Sequence, residues 1–225
     1  LCDSKVLASL LNYQKLMKRK NEKLIELTKK LGDDCEIYKK KILKENRNIN
    51  FVYNPLIYAW KSHEKYLDKY GGLGANTVIM GMNPGHGMGN TGIPFGCPER
   101  VRDYLDIKNL KIEQPDKLHP KRIIAGLECK KPEISGKRMW TIIEDIYGPP
   151  QEAFKHIFIL NHLPLWMFND NGQNITPDKL KKSSTIEIFS VCNKYLVDVI
   201  NVLEARRLIT VGKYATKMAK LAIKD

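Results

Sequence analysis

The stretch Asn76 to Gly96, NTVIMGMNPGHGMGNTGIPFG, decides the fold. Its opening run, Thr77-Val78-Ile79-Met80, is apolar, of strand length and led by β-branched residues. The run then breaks into a loop with glycine at 81, 85, 87, 89, 92 and 96 and proline at 84 and 94. A buried strand feeding a Gly/Pro-rich loop puts that loop at the strand's carboxyl end, where open α/β sheets bind ligands. Pro98 to Leu105 then reads as a helix with proline in its first turn. The glycines do not form Gly-x-Gly-x-x-Gly between strand and helix, and no Gly-Lys-Ser/Thr follows, so a phosphate-cradling loop is excluded.

Working outward, His156 to Leu165 supplies a second apolar strand, ending at Asn161. Arg207-Leu208-Ile209-Thr210-Val211-Gly212 is a third, and Lys213 to Lys224 follows it as an amphipathic basic helix. Thr176-Pro177-Asp178 predicts a helix start with Thr176 as cap, and Ile186 to Leu203 keeps helical apolar spacing. Apolar strands separated by helices read as βαβ units, which predicts an α/β fold with a central parallel sheet flanked by helices. Two of the strand ends carry an asparagine, Asn83 and Asn161, which suits a crevice across the carboxyl edge.

Upstream, Val6, Leu10, Tyr13, Met17, Leu24, Leu27 and Leu31 fit a helix over 5–31 that Gly32-Asp33-Asp34 ends, with Asn46 to Asn50 as a linker. The helix reads as a cap on the domain or as a nucleic-acid arm. The first 50 residues hold 13 Lys/Arg against 7 Asp/Glu, within a net charge of +13 for all 225 residues. That balance favours a polyanionic partner. A chain of this length predicts one catalytic domain, 51–225, with a basic helical extension, 1–50. The five cysteines (2, 35, 97, 129, 192) are odd in number and lack a Cys-x-x-Cys pair. They point to a reducing compartment rather than to disulfides or zinc. With no run of 18 apolar residues, the expectation is a soluble intracellular protein without membrane contact.

Gly81-Met82-Asn83-Pro84-Gly85 and Thr91-Gly92-Ile93-Pro94-Phe95-Gly96 resemble the first motif of the single-strand-selective monofunctional uracil-DNA glycosylases, with about one residue fewer between them. Tyr53-Asn54-Pro55-Leu56-Ile57-Tyr58-Ala59-Trp60 is similar to the segment that precedes that family's first strand. Asn161-His162-Leu163-Pro164-Leu165 resembles its second motif. The likeness runs nearly continuously over 51–225. It implies the family's three-layer α/β fold and hydrolysis of the N-glycosidic bond of uracil in single- and double-stranded DNA. It also implies tolerance of 5-substituents such as hydroxymethyl, no cofactor or metal, a monomer, and nuclear residence.

By the same resemblance Asn83 is the catalytic residue, and Met82, Gly85, Phe95 and Asn161 bind the base. The chemistry is coherent. An extruded base needs a flat partner, which Phe95 supplies, and a reader for its edge. An amide at Asn161 meets the N3 donor and O4 acceptor of uracil together, provided a further bond stops it from flipping to suit cytosine. Asn83 is a poor general base, but it can hold a water in line with C1′ of the sugar, which predicts a slow enzyme. Taken alone, Phe95 reads rather as core filler and Asn161 rather as a strand-end residue bonding backbone, while Asn83 suits turn chemistry as well as catalysis.

Lys121 and Arg122, beside His119-Pro120, and Lys137 and Arg138, after a predicted helix cap at Ser135, are candidate contacts to DNA phosphates. His119 reads as part of a turn or a solvated loop. The family's third motif, His-Pro-Ser-Pro followed by Arg-Asn-Pro, has no counterpart among the histidines at 63, 86, 119, 156 and 162. The expectation is an incomplete chain, the alternative a shortened relative that binds DNA without turnover. His86 is a remote substitute for the missing histidine. An unrelated nucleotide-binding protein is disfavoured by the lack of a phosphate loop.

Overall fold

A computed structural model describes residues 4–108, 110–131 and 133–224. Among the described residues the order of elements is α1 (Ser4–Glu45), β1 (Phe51–Tyr53), α2 (Pro55–Tyr58), α3 (Trp60–Tyr70), β2 (Thr77–Gly81), α4 (His86–Thr91) and α5 (Pro98–Asp103). There follow α6 (Ile134–Tyr147), α7 (Pro150–Ala153), β3 (Ile157–Asn161), β4 (Trp166–Phe168), β5 (Asn174–Ile175), α8 (Lys182–Leu203), β6 (Arg207–Thr210) and α9 (Lys213–Ala222).

The three strands expected from their apolar runs form one parallel sheet in the order β3-β2-β6. β2 is central and buried along its whole length, which is why it reads as a continuous apolar run rather than an alternating one. Helices flank this sheet, as the α/β reading requires. The outer edge of β3 is covered by α3: the Tyr66 hydroxyl donates to Ile159 O at 2.9 Å and accepts from Ile159 N at 3.3 Å. One side chain thereby satisfies an edge residue that would otherwise be open to pairing.

The first helix is longer than its sequence suggests. The break expected at Gly32-Asp33-Asp34 does not occur, and α1 runs on to Glu45. A glycine inside a helix costs about 1 kcal/mol. Here Leu31, Cys35 and Ile42 are buried in the same face and outweigh that cost. The face packs on α8, where Thr28 Oγ1 and Tyr195 Oη share a hydrogen bond of 2.8 Å. The expected linker is also structural. Asn46 is buried, its amide nitrogen donating to Ile42 O and Ser184 Oγ while its Oδ1 accepts from Lys181 N.

A second sheet, β1-β4-β5, is antiparallel and was not legible in the sequence, because its strands are only two or three residues long. Two helix starts also move. α6 begins at Ile134 with Glu133 at the cap, so Ser135 lies inside the helix rather than capping it. Thr176-Pro177 opens only a 3-10 turn, Pro177–Lys179, before α8 starts afresh at Lys182. Cys35, Cys97, Cys129 and Cys192 are free thiols, whereas Cys2 lies outside the described residues.

Candidate active site at the carboxyl edge of the sheet

Parallel pairing of β2 with β3 sets Gly81 directly beside Asn161, each the last residue of its strand. The pairing continues past both ends, with His162 N donating to Gly81 O and Leu163 N to Met82 O, each at 3.0 Å. Two asparagine-bearing loops therefore leave the sheet side by side. A side chain at Gly81 would overlap Asn161 Oδ1 and lie 2.8 Å from the Phe95 ring. Only glycine there lets the Asn161 amide and the Phe95 ring face the same small space.

Phe95 takes φ 53°, left-handed backbone that an aromatic residue rarely adopts. Its carbonyl accepts from Trp140 Nε1 at 3.0 Å and from Cys97 N at 2.9 Å. Gly136 packs so closely on that carbonyl that no side chain fits. A strained residue held by its surroundings is a common mark of a functional position. Sequence reasoning gave Phe95 its ring but not this conformation.

Asn83 follows the end of β2 and is half-buried. Its Nδ2 donates to Pro84 O and Leu165 O, both at 3.2 Å, which leaves Oδ1 as the end of the amide that can accept. Gly85 caps α4, and a side chain added there would meet only Glu133 Oε2, at 3.9 Å, so space opens beside it. The Glu133 carboxylate accepts from Gly87 N at 3.0 Å and holds the glycine turn. Met82 contributes its carbonyl to the continued pairing described above. Asn161 Nδ2 lies 3.1 Å from Met88 Sδ on α4. Sequence reasoning missed Met88 and Glu133, because neither type has a motif that marks such a role.

The histidines are engaged elsewhere. His86 meets Cys129 Sγ through Nε2 at 3.1 Å and packs edge-on against Trp166. Burial first, and then the nearby Lys131 and Arg122, lower its pKa to about 4, so it is neutral at pH 7. His119 is buried rather than solvated: its N donates to Tyr53 Oη, its Nδ1 accepts from Lys121 N, and its Nε2 pairs with Asp170 O. His162 donates through Nε2 to Asn193 Oδ1 and accepts at Nδ1 from Tyr214 Oη, and burial lowers its pKa to about 4. His63 Nδ1 bonds Gly92 O, and burial likewise takes its pKa to about 4.

Of the cations expected to meet DNA, Lys121 and Arg138 are exposed, and Lys137 pairs with Glu99 at 3.1 Å on the surface. The Arg122 guanidinium binds Gly172 O and lies 5.8 Å from the Phe168 ring, which ties it to the second sheet. Among the described residues no group of three or more His, Cys, Asp or Glu could hold a metal ion, and no helix is long and apolar enough to cross a membrane. A groove of about 990 Å³ lies between α8 and α9, but none of Asn83, Phe95 and Asn161 lines it. The convergence of chemistry, not volume, marks the carboxyl edge as the candidate site.

Comparison with known proteins bears on the same elements. The sequence model of the uracil DNA glycosylase superfamily matches residues 69–224, which include both strand ends and the loop between them. A single-strand selective monofunctional uracil DNA glycosylase of Bos taurus is 36% identical over 176 residues, covering 78% of this chain. The rat protein of that name, from Rattus norvegicus, is also 36% identical over 176 residues. The chain spans 64% of the bovine protein's length and 63% of the rat protein's. The crystal structure of SMUG2 from Pedobacter heparinus superposes with a TM-score of 0.51 at 17% identity, covering 79% of this chain and 85% of that one. The superposition supports the fold, and the sequence match extends over more than half of the chain: it belongs to the uracil DNA glycosylase superfamily.

Proposed function

We propose that the protein is a monofunctional uracil-DNA glycosylase of the single-strand-selective type. It takes uracil, and 5-substituted uracils such as 5-hydroxymethyluracil, from single- and double-stranded DNA and leaves an abasic site. The observation that carries the reading is the Gly81–Asn161 pairing, which brings an amide and the Phe95 ring to one space. A base extruded from its stack lies flat on Phe95, a contact worth about 1–3 kcal/mol, while Asn161 reads its edge.

Asn83 is the catalytic residue. With Nδ2 committed to two carbonyls, its Oδ1 accepts from a water and holds it toward C1′. As the bond from C1′ to the base nitrogen breaks, the base leaves with the electron pair. The water oxygen then bonds C1′, and its surplus proton passes to solvent. An amide cannot take that proton, so the sugar must carry much of the positive charge before water adds. Met82 and Gly85 belong to the loop that lines the base, the open space beside Gly85 fitting a 5-substituent. Lys121, Arg122, Lys137 and Arg138 meet phosphates. Lys137 has only to release an exposed pair worth about 0–1 kcal/mol, whereas Arg122 keeps its bond to Gly172 O and offers what remains of its fork. The protein acts as a monomer in the nucleus.

The test is excision from a uracil-containing oligonucleotide, read by alkaline cleavage, for the chain and for Asn83→Ala. Turnover that falls about 100-fold or more in a folded Asn83→Ala supports the assignment, by analogy with the loss of other single catalytic groups. A second reading, DNA binding without turnover, is favoured by the histidines: His63, His86, His119 and His162 each bond a partner inside the fold. Salt-sensitive binding with no excision would select it.

A further inference from the structure

An amide that reads uracil reads cytosine equally well once it flips, so selectivity depends on which end of Asn161 is held. Asn161 is buried, and its Nδ2 lies 3.1 Å from the sulfur of Met88, itself buried in α4. A thioether has lone pairs and no proton to give, so it takes a hydrogen bond only from the NH₂ end. Turning the amide over would set two lone-pair atoms against each other with no proton between them. The unflipped amide keeps Oδ1 on the Gly81 side, beside the Phe95 ring. It then offers the base an acceptor and its second N–H. Uracil, with a donor at N3 and an acceptor at O4, matches that order, and cytosine opposes it at both atoms.

We propose that Met88 is the positioning residue that sets selectivity for uracil over cytosine, acting through the Asn161 amide. The inference rests on the glycosylase reading. It also supplies the restraint that the asparagine needs, from a side chain 73 positions away along the chain.

The test is Met88→Leu, which keeps the volume and removes the acceptor, with kcat/KM measured on single-stranded oligonucleotides that differ only in uracil or cytosine. The expected result is a fall in the uracil-to-cytosine ratio of about tenfold, the scale of one modest hydrogen bond, mostly through a gain on cytosine. A merely structural role would lower both substrates alike and leave the ratio unchanged. Binding of free uracil and free cytosine gives the same comparison without turnover, and Met88→Ile serves if the leucine variant does not fold. An unchanged ratio in a folded variant, with wild-type excision intact, overturns the role of Met88 alone. A wild-type chain that neither excises nor binds uracil overturns the glycosylase reading and this inference together.

Discussion

Two polar regions of the molecule differ in how completely their bonding groups are used. At the corner of the second sheet, His119 has all three of its nitrogens engaged, and Arg122 closes on Gly172 O. At the carboxyl edge of the parallel sheet, Asn83 and Asn161 each commit only the NH₂ end of the amide to the protein. Both regions are rich in residues that sequence reasoning marks as chemical. At the first, His119 has no capacity left for a ligand and Arg122 keeps only part of its fork, whereas at the second both amides keep Oδ1 free to accept. Unused hydrogen-bonding capacity, held rigidly, separates a site from a scaffold here.

Acid gives the largest expected effect, and it falls on the scaffold. His63 and His162 have pKa values lowered from 6.5 to about 4 by burial. Between those values the unfolded chain binds more protons than the folded one, so stability is full above pH 6.5 and is lost as pH falls toward 4. Each histidine is worth about 3 kcal/mol across that window. Denaturant melts at pH 7 and pH 5 should show the loss, and His162→Leu should flatten the dependence by one histidine's share. The two asparagines do not titrate, so excision per folded molecule should be level from pH 6.5 to 8.

Gly81→Ala attacks the other region. Its methyl group displaces Asn161 Oδ1 and the Phe95 ring, and a shift near 1 Å costs about 100-fold in rate. Excision kinetics beside a thermal melt would show whether the loss exceeds any change in stability, as the comparison requires. His119→Ala should do the reverse. It strands Lys121 N and Asp170 O and lowers stability by about 2 kcal/mol, with excision per folded molecule unchanged. A large loss of excision in folded His119→Ala would break the division between the two regions. The smallest effect belongs to Arg138→Ala, which should reduce the salt slope of DNA binding by about one and leave base selectivity unchanged.

How legible these regions were in the sequence follows from the range of the forces involved. Asn83 and Asn161 could be placed at strand ends because a buried parallel strand and a glycine-rich loop are local patterns. β3 ends at Asn161, and β2 ends at Gly81, two residues before Asn83. The small sheet, the helical course through Gly32 and the burial of His119 depend on partners tens of residues away. For His119 these are Tyr53 Oη and Asp170 O, 66 and 51 positions distant, and no local signal separates a saturated histidine from a solvated one.

The amino-acid sequence by itself determined the class of fold, three apolar runs divided by helical segments, and the chemical types gathered at the loops. Patterning of apolar residues dictates which segments must be buried together, and the residue types then limit what the loops can bind. Tertiary structure alone decided that Gly81 stands beside Asn161, that Phe95 is held at a positive φ, and that Met88 meets the Asn161 amide. Register and amide orientation are set by contacts between distant segments, each weak alone and directional only once the chain has packed. The likeness between this edge and a base-reading site therefore begins in composition but becomes chemistry through pairing.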